Sequence, residues 1–178
     1  MYNNVAFIGG IHGVGKSTVC RHICDDLKIG HLSASDLLRW MEINEDPKNK
    51  KVTDVPATQD RLITGLTFTV RQDKSYVLDG HYCLLNLDND VVRVPLDTFK
   101  FITPVSLNII LGDIDKVKRV LEKRDKKPYN SDLLKKMQDN ELAYAKELSK
   151  ILGATLNTGT QSDFTEILNS LHRSFCRK

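Results

Sequence analysis

The sequence predicts an α/β fold in which a parallel sheet of five strands lies between two layers of helices. Short apolar runs alternate with segments of helical periodicity along the chain. A glycine-rich stretch joins the first run to the first helical segment. The 178 residues, 40% hydrophobic and 28% charged, are enough for a single domain with one sizeable core, residues 1–178.

Each element follows from a local pattern. The predicted strands are residues 5–8, 31–32, 75–78, 107–111 and 154–158. Apolar residues at helical spacing predict helices between them, the later ones within residues 114–123, 131–153 and 164–171. Residues 83–95 alternate around an Asp-Asn-Asp turn and predict a hairpin.

Composition limits the classes of function. A net charge of +3 does not by itself indicate nucleic-acid binding. No apolar run is long enough to span a membrane, so we expect no membrane partner and a cytoplasmic protein, or a nuclear one in a eukaryote. The four cysteines form no Cys-x-x-Cys pair and are interpreted as small core residues.

The stretch GGIHGVGKST, residues 9–18, is the strongest signal in the chain. Its glycines lie between a buried strand and a helix start, where backbone N–H groups and the helix dipole bind phosphate. The spacing Gly10-x4-Gly15-Lys16-Ser17 is that of a P-loop, which a glycine-rich turn without a ligand would not need. The predicted nucleotide-binding residues are Gly10, Gly13, Val14, Gly15, Lys16, Ser17 and Thr18.

This pattern predicts ATP as substrate and Mg²⁺ as cofactor. Lys16 is expected to reach the β- and γ-phosphates, and the Ser17 hydroxyl to bind the metal. Asp79 ends an apolar strand and so lies at the carboxyl edge of the sheet, where it is predicted to be the second metal ligand. The alternative is an aspartate that caps a turn.

Several short segments together resemble the adenylate kinase superfamily. These are SASDLLR (33–39), QDRLITGL (59–66), VLDGHY (77–82), RVLEKRD (119–125) and the helix that begins at PYNSDLL (128–134). The Asp-x-His of VLDGHY is similar to the archaeal and atypical, ribosome-associated adenylate kinases. Ala34 and Ser35 replace the threonine and glycine of the family's acceptor segment, which leaves the base preference open.

The resemblance implies roles for further residues. Helices within residues 33–72 would bind the acceptor, through Arg39 with Asp36 and Arg61. Residues 124–130 would form a short lid flanked by Arg119 and Arg124, which would stabilise the transferred phosphoryl group. His81 would position this group or a magnesium-bound water. The structural alternative for Arg124 is a cation that interacts with the dipole at a helix end. For His81 it is a histidine that hydrogen-bonds a neighbouring backbone carbonyl.

The sequence thus predicts a nucleoside monophosphate kinase that transfers the γ-phosphoryl group of Mg·ATP, most plausibly to AMP. The helix after the predicted lid carries lysines but no arginine, so control of the acceptor phosphate could be loose. An ATPase switch that acts on an RNA or protein partner is therefore the alternative. A small-molecule hydroxyl kinase with Asp36 as base is the second alternative.

Overall fold

The computed structural model describes residues 2–38 and 55–176 and contains the predicted five-stranded parallel sheet. Its strands are β1 (Val5–Gly9), β2 (Gly30–Ser33), β3 (Tyr76–Asp79), β6 (Ser106–Ile110) and β7 (Thr155–Gly159). They lie side by side in the order β2-β3-β1-β6-β7. The predicted hairpin is present as the antiparallel pair β4 (Cys83–Leu85) and β5 (Val91–Arg93).

The helices occupy both faces of this sheet. They are α1 (Lys16–Leu27), α2 (Ala34–Leu37), α3 (Val55–Thr69), α4 (Leu96–Ile102), α5 (Ile114–Asp125), α6 (Ser131–Leu152) and α7 (Thr165–Phe175). Helix α4 was not predicted, because two turns are too short for a clear period; it buries Phe99 and Ile102. In the two described ranges, no helix combines the length and the apolar character needed to cross a membrane.

Alternation along β1 divides the core into two layers. Val5 and Phe7 belong to the cluster built with residues of α3, α4 and α6, whereas Ala6 and Ile8 belong to the cluster built with residues of α1, α5 and α7. All five residues of β1 are buried, as expected for a central strand covered on both faces. The carboxyl ends of β1, β2 and β3 therefore meet at one edge of the sheet, where the loops that follow them lie together.

Two buried asparagines connect the sheet to α7. Asn108 is fully buried, and its Nδ2 donates to the carbonyl of Phe7 on β1. Its Oδ1 accepts a hydrogen bond of 2.8 Å from Nδ2 of Asn157, which also donates to Ser170 Oγ on α7. The two amides thus link β1, β6, β7 and α7 through satisfied polar groups in an otherwise apolar interior.

We expect Asn157→Ala to lower the free energy of unfolding by about 1–3 kcal/mol, because Oδ1 of Asn108 stays buried and loses its donor. Urea unfolding followed by circular dichroism measures this. Asn140→Ala on α6 is the control, since that side chain donates only to the exposed carbonyl of Lys136. Equal stability of the two variants would contradict a structural role for the asparagine pair.

Candidate active site

The glycine-rich loop runs from the end of β1 to the start of α1. Gly10, Gly13 and Gly15 have φ angles of 143°, 79° and 88°, which L-residues rarely adopt. A Cβ atom on Gly10 would lie 2.6 Å from the carbonyl oxygen of Ile110, so the neighbouring strand also excludes a side chain there. Gly15 is the N-cap of α1 and offers no side-chain cap, which leaves the first N–H groups of the helix for an anion.

Lys16 and Ser17, at the start of α1, both contact Asp79 at the end of β3. Nζ of Lys16 lies 2.9 Å from Oδ1 of Asp79. The hydroxyl of Ser17 donates a hydrogen bond of 2.8 Å to Oδ2. Lys16 and Asp79 are 8% and 7% exposed, so this ion pair is nearly removed from water. The structure thus brings together the lysine, hydroxyl and carboxylate that the sequence predicts for the phosphate and metal site.

The surroundings hold Asp79 in its charged form. Burial alone would raise the pKa of this carboxyl, but the ring N–H of His31, the charge of Lys16 and the Ser17 hydroxyl together outweigh burial. The pKa of Asp79 is therefore well below its usual range. His31, on β2, has its Nε2 3.8 Å from Oδ2 of Asp79 and was not among the predicted site residues.

His81 connects the site to a buried carboxylate on α6. Its Nδ1 lies 3.1 Å from Oε1 of Glu141, and the backbone N–H of Cys83 donates to the same oxygen at 3.4 Å. On the other side, the ring of His81 packs against the ring of His12 in the glycine-rich loop, with centroids 4.3 Å apart. Glu141 thus links the long helix to the residue that the resemblance places near the transferred phosphate.

Glu141 has an ionisable side chain, yet the residue is fully buried. Burial raises its pKa to about 7, although the charge of Lys16 and nearby backbone N–H groups act to lower it. Its second oxygen, Oε2, is buried and has no hydrogen-bond partner among the described residues. Burial therefore favours the neutral form of this carboxyl, next to the histidine of the site.

A cavity of about 200 Å³ opens beside the phosphate site. Its lining includes Lys16, Ser17, Asp79 and His81. The lining also contains apolar residues, which include Phe7, Leu38, Leu62, Val94, Phe99 and Ile102, and further polar residues, which are His12, Ser33, Ser35, Gln59, Thr98 and Arg124. We call it the acceptor cavity, because its lining includes residues of the predicted acceptor-binding segment, 33–72. Since the lining combines cationic and hydroxyl groups with apolar and aromatic side chains, the cavity suits a ligand with an anionic group and an apolar or aromatic body.

A second cavity, of about 580 Å³, is also lined by His12 and His81. It shares His12, His81, Leu84 and Arg124 with the acceptor cavity. Leu133, Leu134 and Met137 from the first turns of α6 line it. The helix after the predicted lid, which contains no arginine, therefore contributes apolar side chains to this cavity at these positions.

Arg124 faces both cavities from the last turn of α5. Helix α5 ends at Asp125, with Lys126 as its C-cap, and not near residue 123 as predicted. The first two residues of the predicted lid, 124–130, therefore belong to this helix. Nε and Nη2 of Arg124 donate to the two oxygens of Asp125, and the hydroxyl of Tyr129 donates to the same carboxylate. This network fixes the base of the segment between α5 and α6.

Other predicted residues lie apart from the cavities. Arg119 is exposed on α5, and Asp36 and Arg61 are exposed on α2 and α3; none of the three lines either cavity. Arg39 lies outside the described residues. Val14 is buried in the core, so its side chain serves packing, while its backbone belongs to the loop. Thr18 is half-buried in the first turn of α1.

Within residues 2–38 and 55–176, two sets of side chains could hold a metal ion. Ser17 and Asp79 offer oxygen atoms of the kind that Mg²⁺ prefers, and magnesium uses few protein ligands when it also binds phosphates. Donor atoms of Cys20, His31 and Asp79 lie within 4.8 Å of one another. However, burial raises the pKa of the Cys20 thiol far above its usual range, which disfavours the thiolate that a metal needs. The oxygen pair therefore fits magnesium better than the second set fits a soft metal.

Comparisons with known proteins identify a family and support the fold. Residues 9–138 match the model of the AAA domain family (AAA_17), and the chain belongs to this family.

The structure is similar to a gluconokinase from Sinorhizobium meliloti 1021, with a TM-score of 0.55 and 14% identity over 99% of this chain and 94% of that one. It is also similar to an uncharacterized protein from Eubacterium ventriosum ATCC 27560, with a TM-score of 0.50 and 12% identity over 98% and 99% of the two chains. At such identities the likeness shows the fold, a P-loop kinase-like α/β fold. No curated protein sequence is similar enough to count as a match.

Proposed function

We propose that this member of the AAA domain family is an ATP-dependent nucleoside monophosphate kinase, with AMP as its acceptor. The observation that carries the proposal is the acceptor cavity, in which Lys16, Ser17 and Asp79 line the same space as apolar and aromatic residues such as Leu62 and Phe99. A nucleoside monophosphate has a phosphate at one end and a flat base with apolar faces at the other, so its chemistry matches both kinds of lining group.

A polyhydroxylated acceptor fits this cavity less well. A sugar acid carries a hydroxyl on nearly every carbon, and each hydroxyl that leaves water without a partner costs free energy. Ser33, Ser35, Gln59 and Thr98 offer some such partners in the lining, but Phe7, Leu62, Phe99 and Ile102 contribute hydrocarbon surface that a sugar acid would not use. Asp36, the base that a hydroxyl kinase would need in the second alternative, is exposed and does not line the cavity.

The residues of the site would act by alignment and charge. The glycine-rich loop and α1 would hold the phosphates of ATP through backbone N–H groups, and Lys16 would leave Asp79 to contact the β- and γ-phosphates. Ser17 and Asp79 would hold Mg²⁺, which neutralises phosphate charge when bound. Arg124 would stabilise the transferred group, with Arg119 beside it, and Arg39, Asp36 and Arg61 stay the expected acceptor residues. A cytoplasmic location, where ATP is plentiful, accompanies this proposal.

The test is ADP formation from Mg·ATP by the purified chain. It is measured alone and with AMP, GMP, CMP, UMP, dTMP or D-gluconate, and the products are separated by chromatography. We expect AMP to stimulate turnover and to yield a second ADP for each ATP used, because the phosphoryl group goes to the acceptor instead of to water. EDTA should stop the reaction, since it removes Mg²⁺.

Two other results would each reject the proposal. Phosphorylation of gluconate, with no effect of any monophosphate, would establish a hydroxyl kinase. Slow release of inorganic phosphate, indifferent to every acceptor, would establish an ATPase. In that case the relevant partner would be an RNA or protein that accelerates hydrolysis.

A further inference from the structure

Gln59 is a buried polar residue in the wall of the acceptor cavity. It lies in the second turn of α3, three residues before Leu62, so both side chains lie on the same face of the helix and line the cavity. Its residue surface is 5% exposed. Its carbonyl oxygen, Oε1, is buried and accepts no hydrogen bond within the described part of the chain.

An unpartnered carbonyl in such a place points to a missing donor. A buried acceptor without a hydrogen bond costs free energy, and native structures rarely retain one without a reason. Leucine or methionine at position 59 would add apolar surface to the lining without this cost. The polar side chain therefore makes sense if a ligand brings its own N–H group to Oε1.

We propose that Gln59 is a specificity-determining residue that accepts a hydrogen bond from the exocyclic amino group of the acceptor's adenine. This inference rests on the proposed function and deepens it, because it names the group that selects the base. Adenine offers an amino donor beside a ring nitrogen acceptor, and a glutamine amide pairs with both. Around it, Leu62, Phe99 and Ile102 provide the apolar surface that the faces of a purine require.

The experiment compares two acceptors that differ only at this group: AMP and purine riboside 5′-monophosphate, which lacks the amino group. For the wild-type chain we expect kcat/KM to be at least about tenfold higher with AMP, since the analogue leaves Oε1 unpaired. In Gln59→Met, which is close in size but has neither amide group, this ratio should fall to about one. Gln59→Leu is a second apolar variant with the same expected ratio.

Because the ratio is measured within one variant, a general loss of activity does not imitate the result. Asp60→Asn, an exposed change in the same helix, is the control and should keep the wild-type ratio. Thermal unfolding adds a readout without substrate: Gln59→Met should be as stable as the wild type or more so, since it removes an unpartnered carbonyl.

The outcomes separate this inference from the proposed function. If AMP is an acceptor and Gln59→Met keeps the wild-type preference for AMP over the analogue, the inference is overturned and the kinase stands. If another monophosphate is phosphorylated and AMP is not, the inference is again overturned. If no monophosphate is an acceptor, the proposed function fails, and the inference fails with it.

Discussion

Lys16→Ala is expected to lower ADP formation from Mg·ATP by about 10²–10³-fold or more, because it removes the side-chain charge that stabilises phosphate oxygens in the transition state. The expected loss is in kcat, measured with saturating ATP and acceptor. Lys116→Ala, an exposed lysine on α5, is the control and should keep wild-type activity. Full activity of Lys16→Ala would show that the glycine-rich loop does not hold the reacting nucleotide.

The same substitution should also affect stability, and this effect should depend on pH. Lys16 is the buried partner of Asp79, so its removal leaves a nearly buried carboxylate without its counter-charge. The pKa of Asp79 in the folded state lies below the ordinary value of 3.8, so the pair stabilises the fold above pH 3.8. This stabilisation is lost as the pH falls below 3.8 toward the folded-state pKa.

Urea unfolding at pH 7 and at about pH 3 measures this dependence. The deficit of Lys16→Ala relative to the wild type should be largest at pH 7 and should shrink at the lower pH. A deficit of the same size at both values would mean that lost packing, and not the ion pair, explains the change. A stable variant without turnover at pH 7 would separate the catalytic role of Lys16 from its structural one.

The elements around this lysine were predictable because their signals are local. A strand of four apolar residues, a glycine-rich turn and a helical stripe follow one another within residues 5–27, so no distant contact was needed to place Lys16. Asp79 was predictable for a related reason, since a carboxylate at the end of a parallel strand must lie at the same edge as the loop after β1.

Glu141 and Gln59 were not predicted as site residues, because what marks them in the structure is their proximity to residues distant in the sequence. Glu141 is 60 residues from His81 in sequence, and only the packing of α6 against the hairpin brings them together. A signal was nevertheless present: Glu141 continues the buried stripe of α6 that contains Leu134, Met137, Ala145 and Leu148. A charged residue on such a stripe is rarely buried without a function or a partner.

The positions of Arg61 and Arg119 show what a sequence resemblance does not predict. A resemblance places residues along the chain, but the direction of a side chain depends on the helix phase, and both arginines lie on exposed helix faces. Arg124 faces both cavities because it is five residues after Arg119, about one and a half turns farther along α5. Helix phase thus makes Arg124 the better candidate for the transferred phosphoryl group.

Glu141→Gln is expected to lower kcat by about 10–100-fold while the KM for ATP stays nearly unchanged, because Glu141 acts through the orientation of His81 and not on the nucleotide. The amide keeps an oxygen for the N–H of Cys83 but loses the charge beside the ring of His81. Glu147→Gln makes the same chemical change on the exposed part of α6 and is the control. Equal kcat in Glu141→Gln and the wild type would show that the carboxylate is only structural.

Stability provides an independent readout for the same variant. The pKa of Glu141 is raised from 4.5 to about 7 in the folded state, so the folded chain holds this proton more tightly than the unfolded chain does. The contribution of Glu141 to stability is therefore greatest below pH 4.5 and declines as the pH rises to about 7. The amide that replaces the carboxyl does not titrate, so the stability of Glu141→Gln relative to the wild type should increase between pH 5 and about pH 8. A difference that does not change with pH would mean that Glu141 keeps an ordinary pKa, and that its position beside His81 does not hold a proton near neutrality.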